Sequence, residues 1–124
     1  MQTPVLVLFL ILGVLSATSV AADDSIAALE RSPGDMSVEE RVQMIQATNT
    51  YNDCVYKQAT DNINSDADIR RIADNALRSC QPRLESLQRL IGSWKFPEYF
   101  AKGYAHTVRD RAARNILPEL ATRK

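Results

Sequence analysis

The chain has 124 residues, 45% of them apolar, and its 15 basic side chains balance its 15 acidic ones. That length fits one domain, and zero net charge argues against nucleic acid as a partner. A single histidine, two cysteines and four glycines do not supply a zinc ligand set, a haem attachment or a phosphate-cradling loop.

The first 22 residues, MQTPVLVLFLILGVLSATSVAA, carry no charged side chain, and Val5 to Leu15 is an unbroken apolar run. Such a run has the length of a secretory core segment and is too short to span a bilayer. Val20-Ala21-Ala22 supplies the small residues of a cleavage site ahead of Asp23-Asp24. The pattern predicts a signal peptide over residues 1–22 and a single α-helical domain over 23–124, periplasmic or secreted. Charge in that domain is divided. Asp23 to Asp68 holds ten acids and three bases, whereas Ile69 to Lys124 holds five acids and twelve bases. Such a division favours packing of the two halves together or pairing with a second copy.

Four helical segments and no strand are expected. A short one, Ser25 to Arg31, stops at the turn signal SPGD. The second opens with a capping box, Ser37 and Glu40. At 100° per residue Val38, Val42, Ile45, Tyr56, Ala59 and Ile63 share one arc, widened by Met44, Tyr51 and Val55, and this arc is the expected core face. Asn49 and Asn52 fall inside it, as polar residues fixing register or, with Tyr51, receiving a small ligand. The third helix has the cleanest pattern, with Ser65 as its cap. From Ile69 through Ala76, Cys80, Leu84 and Leu87 to Ile91 its apolar residues hold one phase. It is expected to run unbroken, kinked at Pro82 and ended by Gly92. The last helix starts near Pro97, buries Phe100, Tyr104, Val108, Ala112 and Ile116, and stops at Pro118. The expected fold is therefore all-α, a small antiparallel bundle of three main helices plus a short N-terminal one, with one disulfide.

Cys54 and Cys80 are the chain's only cysteines. In an exported chain a thiol pair oxidises by default. Their spacing is far from C-x-x-C, so the pair reads as a staple between two helices and not as a redox centre. The cysteines lie about 12 Å and about 21 Å along their helices from the expected turn, so a tilted crossing or a longer connection must bring them together.

Other candidates are weaker. NINSDAD around Asn62 to Asp68 places alanine where a calcium loop needs its glycine and its terminal glutamate. His106 sits one turn from Lys102 and Asp110 on a polar face, with no nucleophile or shielded partner. No catalytic residue, cofactor or metal is assigned, and the chain is not read as an enzyme. The aromatic cluster Trp94, Phe96, Tyr99 and Phe100 and the cationic residues Arg109, Arg111 and Arg114 are the candidate partner-binding groups. The function expected is non-catalytic protein interaction, with another chain or with itself. The alternative is a small-ligand or lipid carrier lined by Asn49, Tyr51 and Asn52. A basic face also allows weak contact with an anionic membrane surface.

Overall fold

The structure, a computed structural model, describes residues 31–124. The expected signal peptide, and all but the last residue of the expected helix at 25–31, lie outside the described residues.

A single 3-10 turn, Pro33–Asp35, precedes helix α1, Val38–Asp61. The start of α1 is fixed as its sequence specifies. The Glu40 amide donates to Ser37 Oγ at 3.1 Å and the Ser37 amide donates to Glu40 Oε2 at 2.9 Å, so two amides without an intrahelical acceptor are satisfied reciprocally. Residues 62–68 form the connection to α2, Ile69–Ser79. The cap of α2 is Asp68, whose carboxylate accepts from the Arg70 amide at 2.9 Å. Ser65 does not cap; its hydroxyl donates to the Asn62 carbonyl at 2.7 Å inside the loop. The chain from 66 to 68 is extended by an Asp66 turn, with the Asp68 amide donating to Asp66 Oδ1, and this moves the helix start three residues on.

The expected long third helix is two helices. After α2 the chain breaks at Cys80 (φ −95°, ψ 2°) and restarts as α3, Gln81–Ser93. Pro82 has no amide hydrogen to offer the Arg78 carbonyl, and its ring crowds that carbonyl. The chain yields two residues earlier and places Pro82 in the first turn of a new helix, where no donor is required. The apolar phase nevertheless carries through the break: Ile72, Ala76, Cys80, Leu84, Leu87 and Ile91 are all buried. Gly92 does not end α3. The reversal falls three residues later at Lys95, the one non-glycine residue with positive φ (67°) among the described residues.

Helix α4, Glu98–Arg123, runs straight through Pro118. The expected stop fails because Pro118 is exposed, so the carbonyl it leaves without a donor can reach water, while Leu120 two residues later is completely buried. Burial of that leucine favours continuing the helix by roughly 2 kcal/mol, comparable with the cost of an internal proline.

Contacts at the two ends set the topology. The Arg31 amide donates to the Lys95 carbonyl at 3.0 Å and Arg31 Nη1 to the Trp94 carbonyl at 3.1 Å, so the start of α1 and the α3–α4 turn share one end. At the other end the Lys124 ammonium contacts the Asp66 carbonyl. Thus α1 runs up, α2 and α3 run down as a broken rod, and α4 runs up again. The core holds Tyr51, Val55 and Ala59 from α1, Leu84, Leu87 and Ile91 from α3, and Ala101, Ala105, Val108, Ala112, Ile116 and Leu120 from α4. Six of the buried residues are alanine, which lets the helix axes approach closely but supplies little apolar area.

The disulfide is present: Cys54 and Cys80 are bonded, with Cα atoms 5.9 Å apart. The seven-residue connection absorbs the unequal helix lengths. The same bond explains a correction to α1. Cys54 and Tyr56 are about 200° apart around a helix, so turning Cys54 toward α2 and α3 turns Tyr56 outward. The core face of α1 is therefore Tyr51, Val55 and Ala59, with Met44 and Ala47 packed alongside. Val38, Val42, Ile45 and Tyr56, expected inside, are 71, 47, 49 and 46% exposed.

Candidate functional site

The rotation of α1 leaves an unusual surface. Of five large apolar side chains exposed among the described residues, four are Val38, Val42, Ile45 and Tyr56 on one face of α1; the fifth is Tyr99. A single exposed apolar residue means little, but several on one face of a helix mark a candidate contact surface. Asn49, exposed, and Asn52, partly buried, complete the row between Ile45 and Tyr56.

The row borders a cleft of about 290 Å³ between α1 and α4. Its floor is Val55, Ala112 and Ile116, and its walls are Asn52, Tyr56, Asn115 and Glu119. The C-terminal rim is cationic and ordered: Arg123 Nη2 donates to Tyr56 Oη at 2.6 Å and pairs with Glu119 at 2.8 Å, its guanidinium 5.6 Å from the Tyr56 ring centre. These contacts hold the Tyr56 ring against the bundle, with the guanidinium over one face, and leave the residue 46% exposed. At the opposite end Arg31 forks onto Glu40, donating to Oε1 at 2.7 Å and Oε2 at 3.0 Å, and lies 4.6 Å from the Phe96 ring centre. The Arg31 guanidinium, with the Ser37 amide, pulls the Glu40 carboxyl down to about 2.

The aromatic cluster is split by the fold. Phe96 is buried in the core, Trp94 and Phe100 are partly buried against it, and Tyr99 alone is well exposed, at 74%. Phe96, Phe100 and Tyr104 form a run of tilted ring pairs, with centroids 5.5 and 6.4 Å apart, that closes the bundle at the α3–α4 turn. The three arginines do not make one patch. Arg109 lines a cleft with Asp74, Leu77, Arg78 and Gln81, while Arg111 and Arg114 are exposed and lie about 200° and 140° from it around α4.

Nor do Asn49, Tyr51 and Asn52 converge. Tyr51 is fully buried and its hydroxyl has no hydrogen-bond partner among the described residues; burial raises its pKa, opposed by the Arg109 charge. Asn49 is exposed and Asn52 lines the α1–α4 cleft. His106 pairs with Asp110 at 3.1 Å on the surface, and Asp66 of the acidic loop is engaged by the Asp68 amide and by Arg71 at 3.0 Å. Among the described residues no group of three metal-ligating side chains comes together, and none of their helices is long and apolar enough to cross a membrane. Comparison with known proteins finds no matching family model, curated protein or solved structure.

Proposed function

We propose that this protein acts outside the cytoplasm as a non-catalytic interaction module that receives an amphipathic helix on the exposed face of α1. The row Val38, Val42, Ile45 and Tyr56 carries the reading: it leaves large apolar side chains in water although the same helix buries a separate core face. A disulfide is compatible with an oxidising compartment, and the leader-like first 22 residues point the same way. The rim offers polar groups at either end, Arg31–Glu40 and Arg123–Glu119, as interfaces with an apolar centre do.

A photo-crosslinking side chain in place of Ile45, compared with one in place of the exposed Arg89 on α3, tests it in the source compartment. Adducts with a polypeptide, of any identity, are expected at 45 and not at 89. Failure to form a polypeptide adduct at 45 would contradict the reading.

A further inference from the structure

The disulfide is open on one side only. Cys80 is completely buried, whereas Cys54 is partly buried and lines a cleft of about 400 Å³ between α1 and the first turn of α3. Thr50, Asp53, Lys57 and Gln58 from α1 and Arg83 from α3 form its other walls. Lys57 follows Cys54 by three residues, and Arg83 follows Cys80 by three. Residues so spaced are neighbours on a helix surface, so each bonded cysteine brings a cation of its own helix to the cleft. Both cations are exposed. Lys57 pairs with Asp61 at 2.6 Å in open solvent, and Arg83 makes no ion pair among the described residues. The one acid of the cleft, Asp53, lies about 100° around α1 from Cys54. It also borders the α1–α4 cleft and so stands on the far rim.

We propose that Cys54 is a thiol-exchange site, where a small anionic thiol attacks Cys54 Sγ and forms a reversible mixed disulfide. This is independent of the interaction reading above. As the incoming thiolate bonds to Cys54 Sγ, the Cys54–Cys80 bond breaks. Cys80 departs with the electron pair and ends as a thiol after taking up one proton. One disulfide replaces another, so no further oxidant or reductant enters. In the return step Cys80, deprotonated again, attacks Cys54 Sγ and expels the small thiol. Which sulfur is attacked depends on access, and burial of Cys80 leaves Cys54 as the one an incoming thiol reaches. Lys57 and Arg83 raise the local concentration of an anionic thiol and favour the negative charge carried by the reacting sulfurs. Burial of the departing thiolate slows the forward step and favours the return. The bond therefore remains a staple at rest and opens only under a supply of thiol.

The test treats the native, disulfide-intact protein with 2-mercaptoethanesulfonate, 2-mercaptoethanol or cysteamine, which are anionic, neutral and cationic. Early time points are quenched in acid and mapped by mass spectrometry. Each rate is divided by that of the same thiol on a small uncharged disulfide, which removes the thiol's own reactivity. The adduct is expected on Cys54, at a rate proportional to thiol concentration. The corrected rates should fall from anionic to neutral to cationic thiol. Each step should be about threefold at low salt, as for charges about 6 Å apart in water. Combining Lys57→Gln with Arg83→Gln should level the three rates while helical circular dichroism is retained. An adduct on Cys80, or none at any thiol concentration, would overturn the proposal. So would a rate that levels off as thiol rises, since exchange then waits on unfolding, or a charge order that the double substitution leaves unchanged.

Discussion

Two residues test the physics of this fold at the smallest scale. Tyr51 is fully buried with its hydroxyl unpartnered among the described residues, and an unsatisfied buried polar group costs about 1–3 kcal/mol. Tyr51→Phe removes that cost while keeping the ring, so the variant should unfold at the same temperature as the parent or higher. A loss of more than about 1 kcal/mol would mean that the hydroxyl has a partner in solution. Lys95 adopts a left-handed conformation, with φ 67°, which costs an ordinary L-residue about 1–2 kcal/mol. Lys95→Val should lower stability by a similar amount, whereas Lys95→Gly should be neutral or stabilising; thermal melts of the pair would show it, and equal melts would contradict the assignment. The burial of Tyr51 follows from periodicity, but neither its unpartnered hydroxyl nor the left-handed turn at Lys95 was legible in the sequence. Gly92 stands three positions before the turn and looks like the natural terminator, but the helix continues to Ser93 and the left-handed residue is Lys95.

Within single elements the lesson concerns rotation and proline. The existence and rough extent of α1, the capping box and the phase of Ile72 to Ile91 all follow from periodicity. Which face of α1 is buried does not. Its apolar residues cover two faces about 125° apart, Val42–Ile45–Tyr56 and Met44–Tyr51–Val55, and periodicity alone cannot choose between them. The covalent tie through Cys54 does. In the sequence Pro82 and Pro118 point to a kink and a stop; Pro82 instead opens a new helix, where its missing amide hydrogen is not needed, and Pro118 is tolerated inside α4 because burial of Leu120 offsets its cost. The start of α1 makes a separate prediction. Glu40 is held at about 2 against an ordinary 4.5, chiefly by its bond to Arg31, and Asp66 and Glu98 are lowered too, by the Asp68 amide and Lys102 respectively. A carboxyl depressed in the folded state contributes stability above its unfolded value and loses it as pH falls toward the folded one. Stability should therefore decline from about pH 4.5 toward 2, and Glu40→Gln should be less stable at neutral pH with a shallower acid decline. An unchanged acid slope in that variant would contradict the Arg31–Glu40 assignment.

At the scale of the whole molecule, a thin, alanine-rich core is braced by one bond between α1 and the junction of the broken rod. Cys54 and Cys80 are 26 residues apart, and closing that loop is worth about 3.5 kcal/mol on the chain-entropy model. For a domain of this size, with about 5–15 kcal/mol in total, reduction should lower the melting temperature by more than 10 °C, followed by circular dichroism with and without reductant. The bond also decides what the surface shows, since it sets the rotation of α1 and so places the apolar row in water beside the cleft to α4. The staple and the helical class could be anticipated from composition and spacing. The surface could not, because it depends on a tertiary constraint that no local pattern encodes.

The most direct test of that claim compares aspartate at two positions on α1 in dilute protein, near 1 µM, by thermal unfolding. Ile45→Asp, on the outward face, should cost about 1 kcal/mol or less, a fall of no more than about 8 °C. Val55→Asp, on the inward face, buries an unpaired charge and should abolish folding at 25 °C. If Ile45→Asp unfolds the protein as Val55→Asp does, the row lies in the core and the account of α1 as a binding face is wrong.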